Sequence, residues 1–236
     1  MKITLFTGKT FDIEQALGFK IKVVKSVRAK RMTLRIDAKE RIPVLSMPSR
    51  CSATRAVEFV NNHRDWITNS LGRLPEAKKF ENNETISLFG QNITIVHSPE
   101  MRSGALLRED RLFVSGDIEF LHRRVRDYIK KQAREIFYQK SKILAEKLGT
   151  KLNDVTIKDT KSRWGSCSSM HNINYSWRIA LAPGYVIDYL IAHEVSHLVH
   201  QDHSEAFWQC VSDLYPQAEQ GKNWLKKHSR LLYRYE

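Results

Sequence analysis

Residues 192–208 read AHEVSHLVHQDHSEAFW, and this stretch decides how the rest of the chain is read. Four of the nine histidines, His193, His197, His200 and His203, fall within it, and Glu194 lies beside the first. The pattern His-Glu-x-x-His sits in an apolar helical run whose buried face is Val186, Ile187, Leu190, Ile191, Val195 and Leu198. A spacing of four puts His193 and His197 on one side of that helix, roughly 6 Å apart along its axis. Two imidazoles so placed suit bonds of about 2.0–2.1 Å to a single zinc ion between them.

A zinc that does chemistry takes three protein ligands and keeps one position open. His200 lies three residues further along, about 4.5 Å by helix rise, too far for an ion centred between the first two. A third ligand therefore has to follow a turn. Gln201 and Asp202 offer one, because Asp202 with Glu205 fits the capping box of a following helix. His203 then stands at the corner and is expected as the third ligand, with His200 left to packing or to supporting the site. Glu194 is rotated about 100° from His193 and is not expected to bind the metal. Its carboxylate can instead take a proton from a metal-activated water attacking a carbonyl, and pass it to the leaving group.

The same residues admit other readings. Histidines cluster on wet helical faces without any metal, and a structural zinc would be closed by a fourth ligand such as Cys167. Cys167 as a nucleophile with a histidine base is a formal alternative that nothing in the sequence positions. Tyr189, one turn before His193, faces either the site or the core. Phe207, Trp208 and Cys210 follow helical spacing and read as core. Asp213 and Glu219 lie where a later acidic ligand could stand, a role that His203 makes unnecessary.

Working outward, the chain reads as α+β: a strand-rich N-terminal part followed by a helical metal-binding part. KIKVVKSV, RMTLRID and RIPVLSMP alternate apolar with polar residues and predict strands. Residues 52–71 read as one helix with Ser52 as N-cap, and ISLFGQNITIVHSP and ALLREDRLFVSG as two hairpins. From about 118 the character changes. A long helix is expected over 119–148, ended by Gly149, then DVTIKDT as a strand, a turn through SCSSMHN, and INYSWRIALA as a strand that could pair with an extended peptide. Pro183 opens the metal helix, and two further helices end the chain. The division expected is 1–117 for the strand-rich part with one helix and 118–236 for the metal-binding part.

Charge is the unusual bulk property: +13 net, with a pI near 9.7. Residues 20–41 hold nine Lys or Arg against two acids, and HRRVRDYIKKQAR (122–134) is a second basic run. Such a field attracts nucleic acid, acidic protein or small anions, though a solvated basic surface without a specific partner gives the same composition. No segment approaches the roughly 18 apolar residues of a membrane span. The first residues are too short an apolar run for a signal peptide, and three scattered cysteines do not make a disulfide framework. A cytoplasmic protein with no membrane partner is expected.

The stretches KSRWGSCSS (161–169), INYSWRIALAP (173–183), VIDYLIAHEVSHLVH (186–200) and DHSEAFW (202–208), with RAKRMTLRID and VNNHRDWI earlier, resemble the YgjP-like predicted metal-dependent hydrolases. That group is related to the SprT-like and WLM metallopeptidases. The resemblance implies a zincin-like fold, one Zn²⁺ held by His193, His197 and His203, and Glu194 as the catalytic residue. It implies a metallopeptidase acting on protein or peptide, while saying little about what is cut. A hydrolase of a small anionic substrate such as a nucleotide, and a DNA-associated protease of the SprT-like type, are the alternatives. Arg163, in the matched RWGSC segment, either stabilises an oxyanion or binds a substrate anion, or pairs with a surface acid while Trp164 packs in the core.

Overall fold

Two compact units divide the chain, residues 1–76 and 77–236. The computed structural model describes residues 2–4, 10–102, 104–160 and 163–235, so Lys161 and Ser162 of the matched segment lie outside the described residues. The content is 44% helix and 23% strand, an α+β protein as expected.

In the first unit, β1 (Lys2–Thr4) and β2 (Thr10–Asp12) form an antiparallel pair, followed by α1 (Ile13–Leu17). The alternating segments become β3 (Lys22–Ser26), β4 (Thr33–Asp37) and β5 (Ile42–Pro48), with β5 in the middle, parallel to β3 and antiparallel to β4. The helix expected over 52–71 is two helices, α2 (Ala53–Asn62) and α3 (Arg64–Gly72). Ser52 caps the first as expected, its Oγ accepting the Arg55 N–H at 3.3 Å. The break falls at His63, whose φ of −112° is not helical and whose Nδ1 stands 2.8 Å from the Phe59 carbonyl oxygen. Leu17, Ile21, Leu45, Met47, Ala56, Val60 and Ile67 form this unit's core.

The second unit begins with β6 (Thr85–Leu88), β7 (Gln91–His97), β8 (Ala105–Arg108) and β9 (Arg111–Val114). They are the two expected hairpins, joined by parallel pairing of β7 with β9. Their apolar face packs under α4 (Leu121–Lys147), which buries a stripe of Leu121, Val125, Ile129, Ala133, Phe137, Ser141 and Ala145. That shared core explains why these strands belong with the helical part: composition changes near 117, but packing divides the chain at 76.

Three short strands follow: β10 (Asp154–Lys158), β11 (Gly165–Cys167) and β12 (Asn172–Ser176). β12 is central, parallel to β10 and antiparallel to β11. This corrects the expectation that the INYSW strand is a free edge, because both its sides are occupied. The turn expected around SCSS is in part the strand β11. Nor does the strand continue through 182: residues Trp177–Leu181 form a 3-10 turn with Trp177 and Arg178 fully buried. Arg178 pairs there with Asp159 and lies over the Trp177 ring.

Pro183 caps α5 (Gly184–Ser196), and α6 (Glu205–Leu214) and α7 (Ala218–His228) complete the unit. α5 is apolar nearly all round and runs through the middle of the unit against α4, α6, α7 and β11. The β6–β7 hairpin tip fixes where α5 starts. Phe89 N–H donates to the Ala180 carbonyl at 2.7 Å, and a side chain at Gly90 would meet the Gly184 nitrogen at 2.8 Å. Among the described residues no helix is long and apolar enough to cross a membrane.

Candidate metal centre

The metal helix ends at Ser196, and His197 continues its path as the C-cap with φ −68° and ψ −12°. The i, i+4 relation of His193 and His197 is therefore kept although the regular hydrogen bonding has stopped. Gln201 Nε2 donates to the His197 carbonyl at 2.6 Å, satisfying one of the helix's last acceptors. The Asp202 carboxylate accepts the Ser204 N–H at 3.1 Å, an Asx turn that reverses the chain. The N-cap of α6 is Ser204, two residues past the capping-box position expected at Asp202. The outcome for the corner is the same: His203 points back toward the helix it has just left.

Nitrogen atoms of His193, His197 and His203 all lie within 4.8 Å of one another. His203 Nε2 and His193 Nε2 are 3.3 Å apart. Two ligands each about 2.0–2.1 Å from one tetrahedral ion stand roughly 3.3–3.4 Å from each other, so this pair already has metal-binding separation. Phe207, fully buried on α6, forms the floor under the cluster, stacked on His197 at 4.4 Å with its edge toward His193 and His203. Phe207 is core as expected. Trp208 also borders the cluster, its ring 5.7 Å from His193 and 5.8 Å from His203.

His200 is outside the nitrogen cluster, and its contribution is a backbone one. Its carbonyl oxygen is 2.9 Å from His197 Nδ1, which fixes that nitrogen as the N–H and leaves Nε2 with its lone pair for an ion. Burial pulls the His193 pKa down to about 3, helped by neighbouring His197, His203 and Lys222. Burial also lowers His197. Both imidazoles are thus neutral, the form that binds metal. His193 Nδ1 is buried with no hydrogen-bond partner among the described residues.

Glu194 is 4% exposed, and burial pushes its carboxyl up to about 8 against the pull of Arg163. The RWGSC segment supplies its wall. Gly165 on β11 approaches so closely that an added Cβ would lie 2.6 Å from Glu194 Cγ and overlap the carboxylate itself. Arg163, exposed, is near enough to attract the Glu194 charge and has no ion pair among the described residues. Trp164 packs against the core, 5.1 Å from the Tyr233 ring. Trp164 thus packs against the core, while the expected pairing of Arg163 with a surface acid is not seen among the described residues.

Cys167 is half-buried, and its thiol is pushed up to about 11 by burial and by the Glu194 charge, the opposite of an activated nucleophile. Tyr189 is buried, with its ring 5.9 Å from His193 and its hydroxyl pushed to about 12, chiefly by burial. It has Gly221 of α7 against its Cβ. Cys210 is core. Asp213 is bonded to Gln209 and Glu219 to Lys222 and Asn223, and neither joins the histidine cluster. Gly165 and Lys222, whose Nζ lies 4.3 Å over the Trp208 ring, are the neighbours of the site that sequence spacing did not indicate.

A buried carboxyl beside three convergent imidazoles, walled by a strand edge, is the layout of a metal-dependent hydrolase. Residues 30–228 match the model of the YgjP-like metallopeptidase domain, and the chain belongs to that family. The family implies a metal ion, and His193, His197 and His203 could hold one. Neither a search of curated proteins nor one of solved structures finds a match.

Proposed function

We propose that this chain is a zinc-dependent peptidase with one ion per chain, held by His193, His197 and His203. The observation that carries the reading is the position of Glu194, buried beside the three imidazoles yet outside their ligand set. Three imidazole nitrogens favour zinc, with other divalent ions of the first transition row as substitutes. A bound zinc ion would polarise a carbonyl and bring its water toward a pKa of about 7.

Glu194 serves as general base and then acid. Burial holds this carboxyl near 8; a cation beside it would lower that value and free the carboxylate to accept a proton, which its dry setting then keeps for the leaving amine. Arg163 stands at the same carboxyl and contributes the fixed positive charge that a developing oxyanion needs. The peptide enters extended along β11, whose far side from β12 is the sheet edge next to α5. Main-chain pairing there sets the scissile carbonyl beside Glu194 without demanding particular side chains.

The test is Glu194→Gln. It keeps a full equivalent of zinc by elemental analysis and loses cleavage of an unstructured protein such as casein. Unchanged cleavage in that variant sinks the reading.

A second reading is a peptidase that works on nucleic acid, as a DNA-associated enzyme, and the distribution of charge favours it. Residues 1–76 hold fifteen Lys or Arg against seven acids, whereas residues 77–236 hold twenty-four against nineteen. Lys25, Arg28, Lys30, Arg31 and Arg50 are all exposed around the β3–β4 loop, with no ion pair among the described residues. Retention on a DNA column that falls steeply with salt supports this reading, and indifference to DNA removes it. A small anionic substrate such as a nucleotide has no comparable support at the histidines. In the cytoplasm, where such an enzyme would meet its substrates, the three cysteines stay reduced.

A further inference from the structure

A cavity of about 520 Å³ lies between α4 and β10, and none of its lining residues belongs to the histidine cluster. Its walls are Lys130, Lys131, Arg134 and Glu135 on α4 and Thr156 and Ile157 on β10. A volume of this size is in the range of ligand clefts. The cluster and its chemistry make no use of it.

β10 is an edge strand. It pairs with β12 on one side, and none of its residues makes a backbone hydrogen bond outside that sheet among the described residues. Five residues of edge offer roughly 16 Å of alternating main-chain donors and acceptors. The charge beside this edge is one-sided. Lys130, Lys131 and, on the strand itself, Lys158 make no ion pair among the described residues. Arg134 is tied to Asp154 at 3.0 Å, while Glu135 accepts from Gln139 at 3.0 Å. Half-buried Ile157 gives the cleft an apolar contact between the charges.

We propose that this cleft is a docking site for an extended acidic segment of a partner protein, which adds to β10 as a fourth strand. The main-chain ladder selects a polypeptide, since a nucleic acid has no amides to match it. The lysines select acids at alternate positions, the side chains that one face of an added strand presents to α4. A segment held there lies on the sheet edge opposite β11, about 14 Å away across three strand spacings. On the peptidase reading the cleft would anchor a substrate by a sequence distinct from the one that is cut. Docking itself needs no metal, so it stands or falls separately from that reading.

The experiment uses the full chain carrying Glu194→Gln, so that a bound peptide stays intact. A short fluorescein-labelled peptide alternating Glu and Val is titrated by fluorescence anisotropy, and amide hydrogen exchange is followed over residues 154–158. Binding that slows exchange at 154–158, and that weakens by roughly tenfold or more with Lys130→Glu plus Lys131→Glu, is expected. The double change is at the surface, and its circular dichroism and zinc content check that the fold is kept. Equal binding of an alternating Lys–Val peptide, no protection at 154–158, or ready displacement of the peptide by duplex DNA overturns the proposal. The last outcome would make the patch a nucleic-acid surface.

Discussion

Gly165 and Glu194, 29 positions apart in sequence, touch: the glycine's Cα hydrogens face the carboxylate, and any side chain there would overlap it. The glycine of the RWGSC segment is thus required by space at the site. Its backbone φ is not in the left-handed region, so conformational freedom is not the reason. The expected result of Gly165→Ala is a displaced Glu194, with peptide cleavage largely lost while zinc is retained. Overpacking of this kind costs on the order of 1–3 kcal/mol in stability. Elemental analysis with a casein assay checks it, and a variant that cleaves normally would show that Glu194 does not need its present position.

The corner histidine and its neighbour make a paired test. His203→Ala removes a nitrogen from the cluster, whereas His200→Ala leaves in place the carbonyl that orients His197. Zinc content is expected to fall well below one per chain in the first and to stay near one in the second. The opposite pattern would place the third ligand at His200 and misassign the turn at Asp202.

How much of this was legible beforehand depends on the range of each interaction. The His-Glu-x-x-His spacing and the reversal through Asp202 are local chemistry within about a dozen residues, and both were readable. Gly165 was not, because its constraint is the approach of a strand to a helix far along the chain. The segment 177–181 was read as strand from its composition. It turns instead because Arg178 pairs with Asp159, 19 residues earlier, and because Trp177 fills the core. At His63 the apolar period runs on unbroken, and only the contact of its own side chain with Phe59 O marks the break between helices.

Cys167 gives a further expectation. Its thiol sits near 11 because of burial and the Glu194 charge, so little thiolate is present at pH 8. Alkylation by iodoacetamide is expected to be slow in the native protein at pH 8, to quicken toward pH 11, and to be faster in Glu194→Gln, where the repelling charge is gone. Mass spectrometry of the peptide carrying Cys167 measures it. Rapid labelling at neutral pH would contradict the burial and reopen a Cys–His reading.

The raised pKa of Glu194 also sets how the metal-free protein responds to pH. Its carboxyl titrates near 4.5 in the unfolded chain and near 8 in the fold. A group with the higher folded pKa stabilises the fold fully below its unfolded value, and that contribution is lost as pH rises through the folded one. His193 acts in the other direction, because its folded pKa is about 3 against 6.5, so its destabilising effect appears only as pH falls below 6.5. Between pH 6.5 and 8 the loss due to Glu194 is therefore separable. It amounts to at most about 2 kcal/mol for the 1.5 pH units involved. Urea unfolding of the zinc-stripped chain should show stability falling across that window in the wild type and level in Glu194→Gln. A wild type as level as the variant would mean that Glu194 is already ionised at pH 6.5, and that Arg163 outweighs burial.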